Sequence, residues 1–160
     1  MQRVSGMPTK DDKEARARAK RDLREGKRPS TAAGEFVREE IDHVREGKHG
    51  ARSPEQAIAI GLAKARRAGV PLPPPARGKA SSKTRAAAER EYEIGQGKRA
   101  PRAPSHRRAV AAGKALAKEP HSSASRAALG AHAHRAAMQR TSAERSEAAR
   151  AGARTRRRTR

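Results

Sequence analysis

Leu, Ile, Val and Phe together supply 15 of the 160 residues, and that scarcity limits what the chain can fold into more than any other feature. Roughly 20% of a chain in these residues is the usual floor for burying enough apolar surface to offset conformational entropy, and a high net charge raises the floor. Here the charge is +22, from 39 Lys and Arg against 17 Asp and Glu. What the chain has in quantity is alanine, 35 residues, the strongest helix former. The combination predicts an all-α chain: one small helical hairpin with a local core, largely disordered Ala- and Arg-rich basic flanks, and weak internal helical repeats.

The boundaries follow from local signals. Residues 1–29 read as a solvated N-terminal segment, because KDDKEARARAKRDLREG (10–26) mixes charges of both signs around Leu23 alone and has little face to bury. Residues 30–70 form the expected hairpin. Ser30 or Thr31 offers an N-cap, Phe36, Val37, Ile41 and Val44 fall along one side, and Gly47 is a stop. In the second helix Ser53 is the N-cap, Pro54 occupies the first helical position, and Gln56 completes a capping box. Ile58, Leu62 and Ala65 share a face there, and Gly69 and Pro71 end the helix. The predicted hairpin core is Phe36, Val37, Ile41, Val44, Ile58 and Leu62. Gly61, inside a helix, implies close approach by the partner backbone. Residues 71–83 read as a stiff Pro-rich linker, 84–150 as degenerate basic repeats with a helix at 84–94 and transient helices beyond, and 151–160 as an Arg-rich tail.

LREGKRPS (23–30), VREGKHGARS (44–53) and IGQGKRAPRAPS (94–105) share one plan. An aliphatic residue precedes Gly-Lys and then a basic turn that ends in serine. Gly61, Gly113 and Gly130 each follow Ser53, Ser105 and Ser122 by eight residues, and Arg66, Lys118 and Arg135 follow five later. The 44–66 and 94–118 segments are the firmest pair of copies.

The stretch from Ser30 to Pro75 carries REGKHG, QAIAIGL and ARRAG. On those residues it resembles a family of short basic bacterial proteins, some labelled for plasmid stabilisation. The resemblance supports the hairpin as a domain, brings no catalytic residues, and implies a start near Met7 in place of Met1.

Chemistry is sparse. There is no cysteine, so no thiolate site or cysteine nucleophile. Glu40 and His43 have the Glu-x-x-His spacing of di-iron bundles, but those need two copies and two further Glu. An acidic face paired with Arg38 and Arg45 is the expected role. His132 and His134 lack a rigid scaffold for a metal. No catalytic constellation assembles, so no enzyme activity, metal or cofactor is expected.

Charge points to a polyanion. Residues 81–160 hold 20 basic and 6 acidic side chains, a balance that favours nucleic acid. Phe36 and Tyr92 are the only aromatics, so base stacking is excluded as the mode and phosphate contact remains. The candidate cations are Lys48, Arg52, Lys64, Arg66, Arg67, Arg107, Arg108, Lys114, Lys118, Arg154, Arg156, Arg157, Arg158 and Arg160. DNA is favoured over RNA, in the cytoplasm at the nucleoid, without a membrane partner. The rival role is a protein–protein adaptor, or self-association, through the hairpin's apolar face.

Overall fold

The computed structural model describes residues 10–103 and 105–158. Within them the chain forms α1 (Lys10–Arg24), α2 (Pro29–Arg45), α3 (Pro54–Arg67), α4 (Ser82–Gly95), α5 (His106–Ala117), a single 3-10 turn (Ser122–Ala124), α6 (Arg126–Met138) and α7 (Ser142–Arg158). No strand occurs among the described residues. The all-α class therefore holds, but the single hairpin with disordered flanks does not: both flanks are helical. Contacts divide the chain into two units, residues 1–124 and residues 125–160.

The first unit solves the shortage of large apolar residues with small ones. Its buried side chains are mostly alanine: Ala15 and Ala19 of α1, Ala32 and Ala33 of α2, Ala57 and Ala65 of α3, each no more than 1% exposed. On α3 the buried positions Ala57, Gly61 and Ala65 recur every fourth residue, so they form one ridge along the helix. A ridge without side-chain bulk lets α2 come close. A methyl group built on Gly61 would lie 2.6 Å from the Val37 Cα, which confirms the close approach predicted for this glycine. Short side chains lose little rotamer entropy on burial, and close backbones place many atoms in dispersion contact.

This packing corrects the predicted core. Phe36 and Val44 are buried at 3% and 0% exposure, whereas Val37, Ile41, Ile58 and Leu62 are only half-buried. The large residues flank the small ridge and do not fill the interface. Phe36 packs with Ala15 and Ala19 of α1, with Ala65 and with Val70. Within the segment expected to be solvated, α1 is thus part of the core, because its alanine stripe faces α2.

The caps are met in part. Ser53 accepts from the Gln56 amide at 3.3 Å, and the Gln56 side chain accepts from the Arg52 amide at 2.7 Å. α2, however, starts earlier than expected: Arg28 is its N-cap and Pro29 its first residue, with Ser30 and Thr31 inside the helix. Proline's fixed φ suits that first position. The linker also departs from expectation. Arg66 donates to the Leu72 and Pro73 carbonyls at 3.2 and 3.3 Å, and Arg85 donates to the Pro75 carbonyl at 3.2 Å. These bonds fold the proline segment back, and α4 packs on α3 in place of being held away from it.

The repeat is real at the level of its turns. Gly26, Gly47 and Gly97 have φ of 73°, 73° and 72°. In each turn the glycine amide donates to the aliphatic residue's carbonyl (Leu23, Val44, Ile94), and the following lysine amide donates to the residue before it (Asp22, His43, Glu93). This pair of bonds is the Schellman ending, which requires a left-handed residue at the glycine. The serine caps hold at Ser53 and Ser105 and fail at Ser30 and Ser122: Arg28 caps α2, Ser125 caps α6, and Ser122 belongs to the 3-10 turn.

In the second unit α6 is capped by Ser125, which accepts from the Ala128 amide, and it buries no residue. Thr141 and Glu144 form a reciprocal capping box at the start of α7, with bonds of 2.8 and 3.2 Å. Transient helices are what the sequence predicts up to residue 150, and an Arg-rich tail beyond it; α7 continues through that boundary to Arg158. Alanine's propensity and the N-caps from Ser125 and Thr141 give these residues regular helices without a core among the described residues.

A pair of glycine substitutions tests the packing. Gly61→Ala should lower stability by about 1–3 kcal/mol, because the added methyl meets backbone that cannot swing aside. Gly113→Ala, where nothing lies within 4 Å, should instead gain up to ~1 kcal/mol from helix propensity. Chemical denaturation of both variants checks the opposite signs.

Candidate nucleic-acid interface

Most of the phosphate-binding cations expected before residue 70 are engaged within the fold. Lys48 Nζ lies 2.6 Å from Asp11 and 3.0 Å from Glu46; these hydrogen bonds lift its ammonium to about 12 and hold Asp11 below its ordinary range. Lys64 Nζ lies 2.9 Å from Glu40 and 3.4 Å from Asp12. Arg66 is 7% exposed and bonded to two carbonyls, and its burial lowers its pKa. Arg67 makes a two-pronged pair with Glu91 at 2.6 and 2.7 Å. Of the five cations expected to bind phosphate from this part of the chain, Arg52 is exposed and the other four hold the protein's own groups.

Behind these pairs sits a buried cluster that sequence spacing only partly revealed. Glu40 is 1% exposed. One carboxylate oxygen faces the His49 Nε2 at 3.2 Å and the other faces Lys64. His43 Nε2 lies 3.1 Å from Asp11 and 3.3 Å from Glu39. Arg18 of α1 bridges Glu35 and Glu39 at 2.6 and 2.9 Å. The expected pairing of this acidic face with Arg38 is replaced by pairing with Arg18, Lys64 and two histidines, because α1 and α3 close over it. Arg45 does keep Asp42, at 3.7 Å.

One group of unpaired cations lines a cleft. The end of α3, α4, the turn after it and the start of α5 enclose a cleft of about 810 Å³. Arg67, Arg90, Arg99, Arg102 and Arg108 line it, with Glu91 as its one acid. Arg67 is matched by Glu91, and Arg99 is matched by Glu93 at 2.7 Å. Arg90, Arg102 and Arg108 are exposed, and no carboxylate lies within ion-pair distance of them among the described residues. Ser105, on the cleft wall, caps α5 by accepting from the Arg108 amide. The positive end of that helix dipole therefore opens beside the three guanidiniums.

The repeat explains why this face is open. In its earlier copies the turn lysines meet acids, Lys27 with Asp22 at 2.8 Å and Lys48 with Asp11. In the later copy the turn reads GKRAPRAPS, with Arg99 where the copy before it has His49, and Arg102 three residues beyond. Only Arg108 of the cleft's three unpaired arginines belonged to the expected set. Arg90 and Arg102 were missed, although the Ala-Pro-Arg-Ala-Pro turn after a Gly-Lys stop was a usable signal.

The remaining expected cations are placed on exposed helix faces. Arg107, Lys114 and Lys118 are exposed and, at spacings of seven and four, follow one side of α5 and its end. Arg154, Arg156 and Arg157 are exposed in α7. The side chain of Arg158, and Arg160 and Met1–Met7 altogether, lie outside the described residues. No helix among the described residues is long and apolar enough to cross a membrane. The chain matches no protein-family model, no curated protein and no solved structure.

The Glu40–His49 pair sets a pH dependence. Burial pushes the Glu40 carboxyl up, but His49 and Lys64 outweigh it and hold it below 4.5. Its bond to Glu40 raises the His49 pKa above 6.5. Stability from a raised histidine is present below its unfolded pKa and fades as pH climbs through the folded value; stability from a depressed carboxyl is present above its unfolded pKa and fades as pH falls through the folded value. The pair should contribute most between about pH 4.5 and 6.5. Melting temperature against pH should fall on both sides of that window, and His49→Gln should flatten the alkaline fall.

Proposed function

We propose that this chain binds the phosphate backbone of nucleic acid through the arginine cleft of α3–α5, with little regard for base sequence. The observation that carries the reading is the presence in one cleft of three exposed guanidiniums, Arg90, Arg102 and Arg108, that no carboxylate neutralises. Planar guanidiniums suit phosphate because two N–H groups meet two oxygens. Arg107, Lys114 and Lys118 add exposed positive charge along one side of α5. Nothing aromatic lines the cleft, so unpaired bases have no stacking surface there. Duplex DNA is the favoured partner, which agrees with an accessory role at the bacterial nucleoid in the cytoplasm. The role is one of binding, without catalysis.

The adaptor alternative has less to work with. It requires an open apolar face on the hairpin, yet Phe36 and Val44 are buried inside the unit, and α1 covers Phe36.

Salt titration of duplex binding tests the reading. Each phosphate neutralised contributes about −0.9 to the slope of log K against log salt. Replacing Arg90, Arg102 and Arg108 together by Ala should flatten the slope by about 2–3, equally for unrelated sequences. Lys48→Gln, which removes a cation already held by Asp11 and Glu46, should leave the slope nearly unchanged. A salt-insensitive complex, or equal slopes for the triple variant and the parent, would refute the cleft as the binding surface.

A further inference from the structure

The buried cluster at the end of α2 plays no part in phosphate binding, and its chemistry differs from that of the cleft. Glu40 and His43 lie three residues apart on α2, and His49 comes from the turn after that helix. One ligand atom from each lies within 4.8 Å of the other two. Proximity alone would describe many salt-bridge clusters, but three further features separate this one.

The first is the state of His49. Its Nδ1 is 3.0 Å from the Gly50 carbonyl oxygen. A carbonyl can only accept, so Nδ1 carries the hydrogen and Nε2 is the atom turned toward Glu40, at 3.2 Å. Metal-binding imidazoles are held in this way, one nitrogen fixed by a backbone or carboxylate acceptor and the other presented to the ion. The second is the division of Glu40. Lys64 takes one oxygen at 2.9 Å while the other faces the imidazole. Lys64 thus orients the carboxylate without covering the oxygen on the histidine side. The Lys64-facing oxygen is buried, and the Lys64 ammonium compensates it. The third is enclosure: Glu40 and His43 are 1% and 6% exposed, which fixes their rotamers, while His49 is 21% exposed in its side chain and leaves a route inward.

We propose that Glu40, His43 and His49 form a binding site for a divalent transition-metal ion of the zinc class. Two imidazoles and one carboxylate match the donor preference of zinc and its neighbours, and three protein ligands leave a fourth position for water. Ions that prefer all-oxygen shells, such as magnesium and calcium, suit this donor set poorly. Asp11 and Glu39, beside His43 Nε2, bring the negative charge that offsets the cationic remainder of the chain. All three ligands come from α2 and its turn, so the ion would pin the end of α2 to the turn that leads into α3.

The test uses the full chain, freed of metal and titrated with Zn²⁺ by calorimetry and with Co²⁺ by visible absorption. The expected result is one ion per chain, with ligand-field bands for Co²⁺. His49→Gln, a change at a half-exposed turn position, should weaken Zn²⁺ binding at least ~tenfold, the scale on which metal sites respond to loss of a supporting or ligating group. His132→Ala with His134→Ala, which removes the His-x-His of α6, should change it little. Circular dichroism of the metal-free variants confirms that each keeps its helices. If His49→Gln fails to fold, NMR of the parent decides the matter: Zn²⁺ should shift the imidazole signals of His43 and His49 and spare those of His106, His121, His132 and His134. No binding, binding unchanged by His49→Gln, or shifts confined to His132 and His134 would overturn the site. Loss of DNA binding in the cleft variant would not bear on it.

Discussion

Gly61 rests against the backbone of Val37, and the closeness of those two helices governs much of what the first unit can do. A chain with so few branched apolar side chains cannot fill a wide gap between helices. Drawn together along Ala57, Gly61 and Ala65, α2 and α3 leave little gap to fill, and alanines complete the seam. Close helices also bring their polar flanks within reach. Lys64 meets Glu40 and Asp12 because the ridge beside it has no bulk. The ion-pair cluster is therefore a consequence of small-residue packing as much as of charge pattern. A buried pair is costly to break, since the survivor would be left uncompensated. That asymmetry makes the cluster a determinant of register between the helices.

Charge is sorted along the chain by the same means. Eleven of the 17 acidic residues lie in residues 1–80, where they pair with Lys10, Arg18, Lys27, Arg45, Lys48 and Lys64. Past that point acids are fewer. Glu91 and Glu93 take Arg67 and Arg99, and the guanidiniums around them go unmatched. Part of the surplus of +22 thus lines a concave surface. Field lines concentrate in such a cleft, which raises the local potential felt by an approaching polyanion.

How much of this was legible in the sequence depends on the range of the interaction. Ser53 and Ser105 as caps and the Gly-Lys turns could be read directly, because a cap or a Schellman ending involves residues within one turn of helix. Gly61 could be read too, since a glycine in a helix interior needs a reason. The alanine core could not. Ala15 and Ala57 are chemically the same as the exposed alanines of α5, and nothing local marks which ones another helix will cover. The rule that large apolar residues lie inside then selected Ile58 and Leu62, one position along from the true ridge. His49 and Asp11 were missed as companions of Glu40 and His43 for a similar reason. They come from a turn and from another helix, and only the tertiary fold brings them to one place.

The repeated turn shows how one local device serves two ends. After α2 the Gly47 stop sends the chain into a turn where His49 reaches back to Glu40 and Lys48 to Asp11. The turn is closed by its own helices and by the Leu116 and Pro120 carbonyls, which accept from the amides of Gly50 and Ala51. After α4 the Gly97 stop has the same backbone, with the same pair of hydrogen bonds and nearly the same φ. There the facing acids are fewer and the side chains are Arg99 and Arg102. The same backbone geometry thus presents an internally neutralised surface in one copy and an open cationic one in the other. Substitution of a few turn side chains is enough for the change, because the Schellman ending depends on the glycine and the backbone and hardly on the side chains beyond them. On the proposed reading, a chain built from such modules would hold its fold in the copies whose turn cations are neutralised and meet a polyanion with the copy that carries extra arginines.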